Sequence, residues 1–208
     1  VAALLAQYDI SFALKYEGIA EGVENTIYKL TTPVGRYILT IFEKRVAEAD
    51  LPFFMGVMER LAARDFPAPK PIATCDGALL TRVNAKPAAI VSFLDGLWPR
   101  HVELWHCAAV GETLARMHVA LEGFALERAN ALGPDGWEAL IAPCLALAED
   151  LRGGLGDAVA QDVAQVRARW PRDLPRGVIN ADLFPDNALF VGERLAGVID
   201  FYFACTDF

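Results

Sequence analysis

The chain changes its hydrophobic period near Leu94-Asp95-Gly96. That change restricts it to folds in which a sheet-built part precedes a helix-built part. Before the break, 16–22, 26–32 and 36–44 read as strands. They are separated by Gly22-Val23-Glu24-Asn25 and Pro33-Val34-Gly35, both turn-forming sequences. A helix is expected over 51–64, with Asp50 as N-cap and Pro52 in the first turn, where its missing N–H costs little. Pro67, Pro69 and Pro71 end it, and strands at 72–75, 78–82 and 88–93 follow. After the break, apolar residues over 102–121 recur near helical spacing, and further helices are expected at 136–151 and 157–170. Short strands return from 178 onward. The reading is an α+β, bilobal chain, with a β-rich lobe at 1–95 and a helical lobe at 96–208.

Composition narrows the partners. Across 208 residues, 19 basic and 27 acidic side chains give a net charge of −8, which argues against a face built to neutralise nucleic-acid phosphates. Hydrophobic residues make up 54% of the chain, enough for a sizeable core. Cys75, Cys107, Cys144 and Cys205 are far apart and form no CxxC pair, so buried reduced thiols are expected rather than a disulfide framework or metal cluster. No apolar run has transmembrane length and no signal-peptide pattern opens the chain, so a cytoplasmic protein is expected, with neither membrane nor nucleic acid as partner. The start at Val1 falls inside a helical pattern, and the stop at Phe208 falls within an apolar stretch. Both suggest a fragment whose C-terminal part is missing. The sequence does not indicate an oligomeric state.

The chemistry is concentrated near the end. Val178-Ile179-Asn180-Ala181-Asp182 leads from an apolar strand to a carboxylate, Asn187 follows in Pro185-Asp186-Asn187, and Val198-Ile199-Asp200-Phe201 brings a second strand to a second carboxylate. Asp-x-x-x-x-Asn followed by a strand-borne Asp-Phe is the spacing of a kinase catalytic loop and its metal-binding carboxylate. Phosphoryl transfer needs an oriented hydroxyl and divalent metal between phosphates, both of which such oxygens can provide. Asp182 is the candidate catalytic group, and Asn187 and Asp200 the candidate Mg²⁺ ligands. Read singly, Asp182 and Asn187 are ordinary turn formers; the combination is what points to chemistry. The chain contains no GxxxxGK[ST], and Gly153-Gly154-Leu155-Gly156 follows no strand, so neither a P-loop nor a dinucleotide loop is indicated.

These residues resemble the aminoglycoside phosphotransferase and choline kinase group, which shares the protein-kinase-like fold. Within that group the chain is most similar to the homoserine kinase branch. The carrying segments are 16–25, 37–45, 50–54, 128–132, the Asp182 loop and 200–205, so the resemblance covers nearly the whole chain. It implies ATP and Mg²⁺ as cofactors, a small-molecule hydroxyl acceptor, and a place in threonine biosynthesis. It also implies that Ser92, Phe93 and Leu94 form the hinge against adenine, and that the turn 21–25, with Gly22 and Asn25, covers the phosphates. Acceptors other than homoserine within the same group are an aminoglycoside, choline or methylthioribose. A catalytically weakened nucleotide-binding protein is the alternative of a different class.

Two departures stand out. Asn180 occupies the position where such loops carry His, a residue that braces the loop. Asn is shorter and cannot become cationic, so a lost bond and lowered turnover are expected. Strand alternation puts Ile38, Thr40, Phe42 and Lys44 on one face, making Lys44 that strand's candidate ATP-binding cation, although the equivalent position could also fall at Thr40. Glu48, Asp50 and Glu59 compete as its carboxylate partner.

Overall fold

The computed structural model describes residues 2–19, 25–43 and 46–208. A five-stranded antiparallel sheet runs in the order β1-β2-β3-β5-β4. Its strands are β1 (Lys15–Ile19), β2 (Thr26–Thr32), β3 (Gly35–Ile41), β4 (Thr81–Val83) and β5 (Lys86–Ser92). Cross-strand partners share a face, so the register Ile27↔Thr40↔Ala89 and Lys29↔Ile38↔Val91 places these six residues together. That face packs on α2 (Leu51–Ala62) and on the second half of the chain through a core containing Phe42, Ala89, Val91, Phe54, Val198 and Phe201. The opposite face, with Leu30, Leu39, Ala88 and Ile90, is covered by α1 (Ala2–Leu5) and the Tyr8–Ile10 segment.

Helix α2 buries Leu51, Phe53, Phe54, Met55, Val57, Met58 and Leu61. Each such side chain contributes about 2 kcal/mol by leaving water. This explains why a helix of mostly apolar residues, with Pro52 in its first turn, is stable here. Asp50 occupies the N-cap position as expected, but its side chain makes no capping bond, because its carboxylate is engaged by Arg128.

The helical part comprises α3 (Leu104–Ala120), α4 (Pro134–Ile141), α5 (Leu145–Leu151) and α6 (Leu155–Ala168). The single helix expected at 136–151 is broken at Ala142–Cys144 by a turn of 3₁₀ helix. Pro143 lacks the N–H that would bond back along the helix and crowds the preceding turn. The strand expected at 72–75 is also absent: Thr74 makes only an isolated bridge to Tyr8. Three cysteines, Cys75, Cys107 and Cys144, are exposed and free rather than buried, because each falls on a loop or on the outward side of a helix; Cys205 alone is buried. Among the described residues no helix is long and apolar enough to cross a membrane.

Two small antiparallel ribbons complete the chain. One pairs β6 (Gly177–Ile179) with β9 (Cys205–Asp207), and the other pairs β7 (Ala188–Val191) with β8 (Arg194–Val198). The segment after β5 docks on the second ribbon. Leu97 and Phe190 exchange backbone bonds at 2.9 Å, and the Val198 N–H donates to the Pro67 carbonyl at 2.9 Å.

Candidate active site

The ends of β6 and β8 deliver the polar residues. Asn180 follows β6 and is 2% exposed. Its Oδ1 accepts the Asp182 N–H at 3.0 Å, and its Nδ2 donates to the Asp200 carbonyl at 3.4 Å. One amide therefore bonds to both loops, and the lost bond expected from the replacement of His is not seen. Its donor and acceptor ends match the two backbone groups, which satisfies a buried polar side chain.

Asn187 closes the other side. Its Nδ2 donates to the Asp182 carbonyl at 2.8 Å and lies 3.4 Å from the Asp182 Oδ2. Pro185–Asn187 form a 3₁₀ turn, and the Asn187 carbonyl receives the Ile199 N–H at 2.9 Å, which ties the second strand to the loop. Asp182, Asn187 and Asp200 are thereby brought to one place. Asp186, in the same turn as Asn187, is exposed. Ala181 and Asp200 have φ of 63° and 60°, left-handed values for residues other than glycine. Such conformations cost about 1–3 kcal/mol each and persist only where the surroundings hold them. Here Asn180 and the Tyr202 N–H, which donates to Asp200 Oδ1 at 3.3 Å, do the holding.

The oxygens suit a hard divalent cation. With its Nδ2 turned toward Asp182, Asn187 presents Oδ1 on the opposite side, and Asp200 adds a carboxylate. Among the described residues no group of three or more His, Cys, Asp and Glu could hold an ion. An amide oxygen and a carboxylate are donors that a hard divalent cation takes together with phosphate and water.

The residues expected to form the hinge lie at the end of β5. The Ser92 N–H donates to the Lys70 carbonyl at 2.8 Å and its hydroxyl accepts the Lys70 N–H at 2.9 Å, while the Phe93 N–H turns the other way to the Arg36 carbonyl at 3.0 Å. The N–H and C=O of one strand residue point to the same side, so the Ser92 carbonyl faces the edge away from β3. Leu94 packs against the β7–β8 ribbon, where a Cβ on Gly197 would lie 2.7 Å from Leu94 Cδ1 and 2.8 Å from the Pro67 oxygen. The Phe93 ring carries Lys29 Nζ at 4.7 Å and the Arg36 guanidinium at 4.8 Å, and Arg36 pairs with Asp95 at 2.6 Å. Asn25 accepts the Glu43 N–H at 3.2 Å, which joins the starts and ends of neighbouring strands. Lys44 and Gly22 lie outside the described residues.

The structure engages two of the three carboxylates considered for Lys44 with other partners. Glu48 pairs with Arg82, and Asp50 pairs with Arg128 at 2.7 Å; Glu59 is exposed. Thr40 is 2% exposed, and its hydroxyl meets that of Tyr202, whose phenol burial pushes its pKa up to about 12. Sequence reasoning missed Lys29, because alternation was followed along β3 alone. Register puts Lys29 on the same sheet face, opposite Ile38. Arg128 and Tyr202 lie in segments that carry the resemblance, but their contacts with Asp50 and Thr40 have no signal in the local sequence.

A small antiparallel sheet, one helix beneath it and a helical second part carrying an Asp–Asn–Asp loop make this a bilobal protein-kinase-like fold. The chain belongs to the phosphotransferase enzyme family, whose profile matches residues 15–208. It is 52% identical over 207 residues to a homoserine kinase of Afipia carboxidovorans, covering 100% of this chain and 64% of the relative. It is 52% identical over 208 residues to a homoserine kinase of Sinorhizobium fredii, again covering 100% of this chain and 64% of that protein. The chain thus spans about 64% of the length of these curated relatives. Among solved structures, an amicoumacin kinase bound to AMP-PNP, Ca²⁺ and its antibiotic superposes with a TM-score of 0.74 at 15% identity, covering 99% of this chain and 64% of that one. A spectinomycin phosphotransferase bound to ADP and spectinomycin gives 0.68 at 12% identity, covering 99% and 68%. At these identities the structural likeness is one of fold.

Proposed function

We propose that the whole protein transfers the γ-phosphate of ATP to the hydroxyl of L-homoserine, giving O-phospho-L-homoserine and ADP for threonine synthesis. The observation that carries this reading is the 52% identity to homoserine kinases, which runs through the entire chain. The Asp182–Asn187–Asp200 cluster supports the reaction type.

In this reading residues 1–95 form the nucleotide-binding lobe and 96–208 the catalytic lobe. Asp182 accepts a hydrogen bond from the homoserine hydroxyl and orients its oxygen for in-line attack on the γ-phosphorus. As the new O–P bond forms, the bond from that phosphorus to the β–γ bridging oxygen breaks, and the hydroxyl proton passes to Asp182. Asn187 and Asp200 hold Mg²⁺, which when bound neutralises charge across the phosphates. Asn180 braces both loops. The Ser92 carbonyl and the Leu94 N–H meet the adenine edge, Phe93 packs beside them, and Asn25 and Gly22 belong to the turn over the phosphates. Lys44, three positions past the end of β3 in sequence, remains the proposed ATP-binding cation.

An ADP-release assay on the full-length protein with homoserine, choline and aminoglycosides tests the acceptor. Turnover confined to homoserine is expected, and turnover confined to the others overturns the proposal. Asp182→Ala is expected to lower kcat by about 10²–10⁴-fold, the usual contribution of a positioned base.

A further inference from the structure

Arg128 follows α3, yet its side chain reaches both α2 and the segment just beyond Asp200. Nε donates to Asp50 Oδ2 at 2.7 Å, and Nη1 donates to the carbonyls of Ala204 at 3.1 Å and Phe203 at 3.4 Å. The guanidinium stands 5.0 Å over the Phe54 ring of α2. The main chain is fixed as well: the Thr206 N–H donates to the Arg128 carbonyl at 2.7 Å. The same Phe54 ring receives Tyr202 edge-on at 5.8 Å, and Tyr202 also packs edge-on to Phe42 at 5.1 Å while its hydroxyl meets Thr40 of β3.

We propose that Arg128 and Tyr202 are positioning residues that set Asp200 relative to the nucleotide lobe, by clasping the segment after it to α2 and β3. The proposal rests on the phosphotransferase reading above. Three observations lead to it. Asp200 sits in a left-handed conformation, so where its carboxylate points depends on where the following residues are held. Those residues are tied to the nucleotide lobe, by the Arg128 guanidinium of the catalytic lobe shared between the Asp50 carboxylate and two carbonyls, and by the Tyr202 phenol packed against β3 and α2. Charge-assisted bonds of this kind are about twice as strong as neutral ones, and the fork geometry makes them directional. Finally, Asp50, weighed from the sequence as a partner for a nucleotide-binding lysine, is instead paired with Arg128, which makes it a link between lobes. A displacement of about 1 Å at such a site is enough to cost on the order of 100-fold in rate.

The test is calorimetric titration of ATP into the full-length protein with and without Mg²⁺, for the parent, Arg128→Lys, Tyr202→Phe and Thr40→Val/Tyr202→Phe. Lysine keeps the charge near Asp50 but loses the fork, and phenylalanine keeps the packing but loses the hydroxyl. The Mg²⁺-dependent gain in ATP affinity is expected to fall about tenfold in Arg128→Lys and several-fold in Tyr202→Phe, within the range of coupled sites. Metal-free ATP affinity is expected to stay unchanged. Adding Thr40→Val to Tyr202→Phe should cost nothing further. Variants that keep the parental Mg²⁺-dependent gain within twofold overturn the proposal, as does an equal loss of affinity with and without Mg²⁺. No acceptor takes part in the measurement, so its outcome is independent of whether homoserine is phosphorylated. Absence of Mg²⁺-dependent ATP binding in the parent overturns this inference and the phosphotransferase reading together.

Discussion

Asn180 shows how much one side chain can hold. At 2% exposure it bonds to the backbone of both polar loops, at 3.0 Å and 3.4 Å. Replacing it with alanine strands two buried backbone groups, each costing about 1–3 kcal/mol. Asn180→Ala is therefore expected to lower both the denaturation midpoint and kcat, the latter by about 100-fold. Asn180→His is expected to bring no gain in kcat, because both bonds are already made. Steady-state kinetics on the two variants check this, and a tenfold rise in Asn180→His would show that the amide leaves the loop misplaced. The sequence flagged Asn180 as a departure, but only the positions of the Asp182 N–H and the Asp200 carbonyl reveal that an amide serves there.

At the scale of elements, the β7–β8 ribbon joins the segment after β5 to the strand that leads to Asp200. It is fastened through Leu97–Phe190 and Val198–Pro67 backbone bonds and by the close approach of Gly197 to Leu94. Leu94 Cδ1 can shift, but the Pro67 carbonyl, 2.8 Å from the position of an added Cβ, belongs to the backbone. Gly197→Ala is expected to destabilise the fold by about 1–3 kcal/mol, as overpacking of a well-filled core does, and to weaken ATP binding by pushing on Leu94. Urea denaturation and nucleotide titration measure the two effects; an unchanged midpoint would sink the account. The ribbon falls in the stretch from 178 onward that the sequence marks as short strands, and Gly192, with φ of 58°, makes the tight turn between its strands. Its docking was not legible, since no local pattern pairs residue 97 with residue 190. The break at Pro143 was missed because apolar spacing ran on through it.

At the scale of the molecule, the phenols of buried Tyr8 and half-buried Tyr202 tie stability to alkaline pH. Burial pushes Tyr8 and Tyr202 up to about 12 from the ordinary 10.0. Between those values the unfolded chain ionises first, so the stability they contribute is complete below pH 10 and is lost as pH rises toward 12. Each phenol removes about 1 kcal/mol per pH unit over that window. Urea midpoints at about pH 9, 10 and 11 are expected to fall along this slope, and less steeply in Tyr8→Phe and Tyr202→Phe. A midpoint independent of pH there would contradict the raised pKa of both phenols.

By itself the sequence determined the order of sheet and helices and the grouping of Asp182, Asn187 and Asp200. Both depend on short-range information: the period of apolar side chains and the spacing of polar groups along a strand–loop–strand. Only the tertiary structure decided that Asn180 serves both loops, that Lys29 shares a sheet face with Ile38 and Thr40, and that Asp50 faces Arg128. The last two residues are 78 positions apart. Register and docking bring such groups together through many weak contacts summed over the whole core, and no local pattern encodes that sum.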